Sequence, residues 1–274
     1  MRGRVSTYFY HERLAASVST RRSIAVSVRS RSRAVAVCLA LAFGGWFTGF
    51  AATLGVELHT LALGYDAAAI LQIGSSVAFN VVGAAGLALT YLIVRRNGFD
   101  LEFALSFLRI RKPTVWDLAW IVFGLVGAFV VLTSYHAFIE LVDPFGTGGE
   151  GETHSSIEEN REYPVLFLVA IPIAIFLTGP GEELLYRGVI QSRLGESFPT
   201  AVAVVVASFV FAIVHLPVYM GDDFGAVLVS LGTVGMLGLY FGVLYELSNS
   251  LFVPALIHGL YNATVYLSNY LTYA

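Results

Sequence analysis

The sequence predicts an all-α fold, a polytopic transmembrane helical bundle of about seven spans, and three observations carry that expectation. Hydrophobic residues fill 57% of the 274 positions and charged residues only 13%, with a mean hydropathy of +0.74. A soluble domain carries about a quarter charged residues. The apolar residues fall in runs close to the ~20 needed to cross the hydrocarbon layer as a helix. The connectors are short, so residues 34–274 form one membrane-embedded domain with no room for a second large one.

The chain opens with a basic stretch. Residues 1–33 hold eight arginines among serines and scattered apolar residues, which reads as a disordered cytoplasmic tail. Arg21 and Arg22 suggest a twin-arginine export signal, but the apolar run that follows is long, lacks a convincing cleavage site and leads into more spans. The first span is expected from about Ala34 to Val56 and the second from about Ala67 to Val94, closed by Arg95 and Arg96. Gln72 and Asn80 are isolated polar residues within the second, of the kind that join helices by hydrogen bonds.

Phe99 to Arg111 mixes Leu and Phe with charges of both signs and suits a short interfacial helix with a cytoplasmic basic end. The third span, about Trp116 to Leu141, places Trp116 and Trp120 at that interface. From Glu140 to Glu162 seven acids stand against one arginine, and four glycines lie in the loop Asp143 to Tyr163. That composition forms no core and reads as a mobile loop outside the cell. Its His154 is read as an ordinary loop histidine. Cys38, the single cysteine, permits no intrachain disulfide.

The fourth helix runs from about Val165 to Gly195, and Gly179-Pro180-Gly181 is expected to kink it where it lines a cavity or is buried. Directly after come Glu182, Glu183 and Arg187, ionisable groups at the end of an apolar run, where they cost several kcal/mol unless paired or hydrated. Residues four apart share a helix face and neighbours point about 100° apart. Glu183 can therefore pair with Arg187, leaving Glu182 free to face a watery cavity as a base.

The fifth helix, Thr200 to His215, ends with Phe211 and His215 on one face. The sixth, about Phe224 to Leu247, is rich in glycine, which permits close helix contact. The last span, Leu251 to about Leu267, carries His258 and Asn262 on one face, where they can serve a site or simply join helices. A rise of ~1.5 Å per residue puts Glu183, His215, His258 and Asn262 in one intramembrane slab.

Those parts suffice for hydrolysis. A carboxylate can take a proton from water, a histidine can orient that water, and an Asn amide with a second imidazole can stabilise an oxyanion. Zinc bound by Glu182, His215 and His258 with an open water position is the other arrangement. The chain contains no His-Glu-x-x-His sequence and no Gly-x-Ser-x-Gly elbow.

Three motifs in this order and spacing resemble those of the CPBP family, the CAAX proteases and bacteriocin-processing enzymes related to type II CAAX prenyl endopeptidases. They are Glu182-Glu183-Leu184-Leu185-Tyr186-Arg187, Phe211-Ala212-Ile213-Val214-His215 and His258-Gly259-Leu260-Tyr261-Asn262, and the similarity covers about 164–269. The resemblance implies an intramembrane endopeptidase in which Glu182 and His215 activate water, His258 and Asn262 hold the oxyanion, and Glu183 and Arg187 support the site. Tyr186 stands where Phe is common, a departure that leaves the chemistry unaffected. The family is described both as metalloprotease and as metal-independent glutamate protease, so Zn²⁺ and unaided carboxylate remain alternatives. The expected partners are membrane lipid and a peptide or protein substrate, with no nucleic acid, and the expected location is the cell membrane with the N-terminus cytoplasmic. A non-catalytic scaffold or immunity-type protein is the alternative. A transporter fits less well, because one helix break is visible and none matches it in the first half.

Overall fold

The protein is described by a computed structural model over residues 4–64, 68–142, 160–220 and 223–274, with side chains from residue 30 onward. Eight helices follow one another: α1 (Arg4–Ala62), α2 (Ala68–Arg96), α3 (Leu101–Phe107), α4 (Val115–Val142), α5 (Val165–Gly195), α6 (Thr200–Val214), α7 (Phe224–Ser248) and α8 (Phe252–Tyr273). No strand occurs among the described residues. The chain is an all-α bundle.

Five helices are long and apolar enough to cross a membrane: the Ser30–Ala62 part of α1, together with α2, α4, α5 and α7. Helix α6 has 15 residues, about 22 Å of helix against a ~30 Å hydrocarbon layer. Helix α8 is long enough but is diluted by Asn262, Thr264, Ser268, Asn269 and Thr272. The exterior is apolar all round, with Phe47, Phe123, Phe176 and Phe209 each more than half exposed on four different helices. Such a girdle suits lipid rather than water, and this is a membrane protein.

Two expectations change at the N-terminal half. Residues 1–33, read as a disordered tail, are helical from Arg4 as the continuation of α1. An apolar segment that has already nucleated a helix extends it at little further cost, which composition alone does not reveal. The interfacial helix is shorter than expected, Leu101–Phe107. Its N-cap is Asp100, whose carboxylate accepts from the Phe103 backbone N–H at 2.9 Å. Most of the acidic loop, with His154, lies outside the described residues.

Packing forms two cores. One joins α1, α2, α3, α5 and α6 around Leu185, Val189, Ile190 and Leu194. The other joins α4, α7 and α8 around Phe241, Leu244, Val253 and Ile257. Small residues set the closest approaches: a Cβ on Gly179 would lie 2.5 Å from the Ala255 carbonyl oxygen, and one on Gly259 would lie 2.7 Å from that of Ala174. Helices α5 and α8 therefore touch backbone to backbone at the level of the two glutamates.

Helix α5 does not break at Gly179-Pro180-Gly181. It widens, with π-type turns at Ala174–Thr178 and Leu184–Gln191, and the Gly179 N–H reaches back five residues to the Ala174 carbonyl. Proline lacks the N–H that an ordinary helical ladder would use, and the wide turn ahead of Pro180 absorbs the mismatch. Helix α2 has a similar stretch at Ala78–Ala85. Wide turns of this kind are frequent at functional sites.

Candidate active site

Consecutive positions on α5 separate the two glutamates. Glu183 is fully buried and its Oε1 lies 3.0 Å from Arg187 Nη1, one helical turn on. Glu182 faces a cavity of about 820 Å³ that His215, His258 and Asn262 also line. The expected division between the glutamates is thus the one the geometry shows, and the four cavity residues lie at one depth.

Arg187 is the largest fully buried side chain. A buried guanidinium is costly unless its partners compensate, and here they come from both cores. Its plane lies over Phe211 at 4.6 Å and near Phe241 at 5.8 Å, and Nη2 donates to the Gly238 carbonyl at 3.1 Å. Compensation is incomplete, because Nη1 contacts Glu183 without hydrogen-bond geometry and Glu183 Oε2 has no hydrogen-bond partner.

Glu183 has a second partner that helix-face reasoning did not supply. His258 Nδ1 lies 2.9 Å from Glu183 Oε1. A carboxylate accepts, so Nδ1 carries the proton. The other ring nitrogen, Nε2, points to Glu182, with Oε2 at 4.0 Å. Phe241 stacks on the ring at 5.1 Å and the Phe211 edge closes the other side at 6.2 Å. Held this way, His258 has one orientation and presents one nitrogen to the cavity.

His215 ends α6, and its Nδ1 lies 2.7 Å from the Phe211 carbonyl oxygen four residues back. A carbonyl only accepts, so Nδ1–H donates and Nε2 keeps its lone pair. Asn262, one turn beyond His258, lines the cavity half-buried. Glu182, His215, His258 and Asn262 thus share one chamber, while Glu183 and Arg187 form its floor. Glu182, His215 and His258 are the expected zinc set, yet among the described residues no three His, Cys, Asp or Glu side chains converge as metal ligands. The donor set does not fit the ion as it stands.

Sequence reasoning passed over two other groups. Asn80 of α2 also lines the cavity; its signal was there, a lone polar residue in an apolar run, but that pattern more often marks a helix joint. Below the floor, Gln191 donates to the Gly242 carbonyl at 3.1 Å and to Glu246 at 2.8 Å, and Arg109 pairs with Glu246 at 2.9 Å. No feature of the sequence links residues so far apart.

No curated protein and no solved structure matches the chain. A family does match: residues 164–264 fit the family described as Type II CAAX prenyl endopeptidase Rce1-like, a family of proteases. The matched stretch holds Glu182, Glu183, Arg187, His215, His258 and Asn262. It bears out the resemblance carried by the three motifs, and residues 164–264 form a domain of the CAAX protease family.

Proposed function

We propose that this protein is an intramembrane endopeptidase that hydrolyses a peptide bond in the cavity between the two cores. The observation that carries the reading is the unequal treatment of two adjacent carboxylates. Glu183 is sealed beneath Arg187 and His258, whereas Glu182 faces the chamber with only His258 Nε2 near it. A carboxylate left open beside two oriented imidazoles is suited to take a proton from water.

In this mechanism the attacking water donates one hydrogen to Glu182 and the other to the His215 Nε2 lone pair, which directs its own lone pair at the scissile carbonyl. The proton passes to Glu182 as the C–O bond forms. The oxyanion is held by the Asn262 amide and by His258 Nε2–H in the imidazolium form, whose charge Glu183 balances through Nδ1–H. Glu182 then gives the proton to the departing amine as the C–N bond breaks. With His258 as imidazolium, two carboxylates face two cations, so the buried cluster is neutral as a whole.

The test is cleavage of a peptide library by purified protein in detergent, compared with Glu182→Gln. Cleavage by the wild type should fall at least about a hundredfold in the variant, with an unchanged melting temperature. Equal cleavage by both would remove Glu182 as the base. Elemental analysis of the active protein separates carboxylate from zinc chemistry, because stoichiometric zinc lost in His215→Ala would favour the metal version. The Arg-rich N-terminal side and the Arg95 to Lys112 segment are read as cytoplasmic. Cysteines placed at Ser155 and Ser30 should be labelled from outside and inside respectively, and the opposite pattern would invert the topology.

A further inference from the structure

Asn80 is a buried polar group that the proposed chemistry does not use. It is 5% exposed, lies on the wide turn of α2 and lines the same cavity as Glu182, His258 and Asn262. Its Nδ2 donates to the Ser76 carbonyl at 3.0 Å. That bond fixes which end of the amide is which, and it leaves Oδ1 buried with no hydrogen-bond partner. The amide is also held in place from α5, since a Cβ on Gly181 would lie 3.1 Å from Oδ1 and 3.2 Å from the Asn80 Cβ. Gly181 directly precedes Glu182.

The chemistry of an acceptor narrows what it can serve. An amide oxygen repels an oxyanion, so Oδ1 does not stabilise the tetrahedral intermediate. The attacking water has two hydrogens, and Glu182 and His215 Nε2 already accept both. Among the groups that enter such a cavity with a peptide, the donor that remains is a main-chain N–H. From this we infer that Asn80 is a substrate-positioning residue whose Oδ1 accepts a hydrogen bond from a backbone N–H of the bound peptide, next to the scissile bond. The inference rests on the endopeptidase reading. It gives the N-terminal half of the chain, outside the matched 164–264, a direct part in recognising substrate.

A substrate-side replacement combined with one variant tests this. A peptide cleaved by the wild type in a Glu182-dependent manner is resynthesised with each backbone N–H near the cleavage site replaced in turn by an ester oxygen. At one position the wild type should show a KM raised roughly threefold to tenfold, the effect of losing one neutral hydrogen bond, with kcat little changed. Asn80→Ala should show that same rise in KM with the ordinary peptide and no further rise with the ester at that position. Gly181→Ala, which crowds the amide, should raise KM in the same direction.

Unchanged KM in Asn80→Ala overturns the inference, as does a fall in kcat alone, which would place the amide on the water. A lower melting temperature with unchanged KM would make Asn80 a helix joint only, and equal sensitivity of wild type and Asn80→Ala to every ester would do the same. If the wild type cleaves nothing, or Glu182→Gln cleaves as fast, the endopeptidase reading itself falls and takes this one with it. Glu182-dependent cleavage with an indifferent Asn80→Ala sinks this one alone.

Discussion

Two ion pairs in this protein join the same kinds of group and end in opposite conditions. At the start of α4, Asp117 is fully buried and receives two bonds of 2.8 Å from Arg111, a third from the Thr114 backbone N–H at 2.6 Å and a fourth from the Thr114 hydroxyl at 2.8 Å. Every acceptor site is engaged. In α5, Glu183 and Arg187 are as deeply buried, yet one oxygen and one nitrogen stay without hydrogen bonds. A fork-shaped pair with every bond made holds two segments together. An unfinished pair that also grips a histidine is stiff enough to orient that ring while its field remains available to the ring's charge. We take the first as architecture and the second as part of a site.

The largest expected effect comes from breaking the unfinished pair. Glu183→Gln leaves Arg187 buried beside a neutral amide and takes the charge from beneath His258, and removing one partner of a buried pair costs about 3 to 5 kcal/mol. Melting temperature and cleavage should fall together, and adding Arg187→Met should recover part of the stability but none of the activity. A stable, inactive Glu183→Gln beside an unstable Glu182→Gln would reverse the roles of the two carboxylates.

Next in size is Gly259→Ala. The added methyl meets the Ala174 carbonyl and the Ile175 Cα at 2.7 Å, so α5 and α8 must part, at about 1 to 3 kcal/mol. The contact lies one residue from His258, and cleavage should suffer more than unfolding temperature does. Equal loss in both would mean that the spacing of these helices matters for packing alone.

Asp117→Asn sharpens the comparison from the other side. It breaks the Arg111 fork and should lower the melting temperature, while the rate per folded molecule stays that of the wild type. A change in kcat would show that this pair, too, communicates with the chamber.

The smallest effect belongs to the exposed cap of α3. The Phe103 backbone N–H, with Arg96 beside it, holds the Asp100 carboxyl below the usual carboxylate range. A depressed value means that the cap contributes fully above the unfolded value of about 4 and is lost as the pH falls below it. Hydrogen exchange in α3 should therefore rise in acid before that of the spans, and Asp100→Ala should remove this pH dependence.

Much of this was legible in the chain because membrane helices leave a strong one-dimensional signal. Runs of apolar residues locate α2, α4, α5 and α7, and a charge inside such a run announces itself, as Glu182, Glu183 and Arg187 do. Four-residue spacing placed Phe211 with His215 and His258 with Asn262. What was hidden depends on distance in space: the bond between His258 and Glu183 crosses 75 positions, and nothing local to either residue foretells it. Asn80 was visible but ambiguous, because a joint and a ligand look alike until the chamber is seen. Asp117 sat unremarked at a helix start, where an acid is ordinary, and its complete set of partners emerged only from the fold.

The wide turns of α5 also limit how this gene product can change in length. Arg187 and Gln191 reach the carbonyls of Gly238 and Gly242, so a step of four on one helix is matched by a step of four on the other, across the stretch where α5 is widened. Deleting a single residue between Leu184 and Gln191 would tidy the helix into an ordinary ladder and at the same time swing everything beyond it by about 100°, carrying Gln191 away from α7. Side chains here can be exchanged one at a time, but the count of residues cannot drift. Variants of this chain that stay active should show substitutions in this segment and no insertions or deletions.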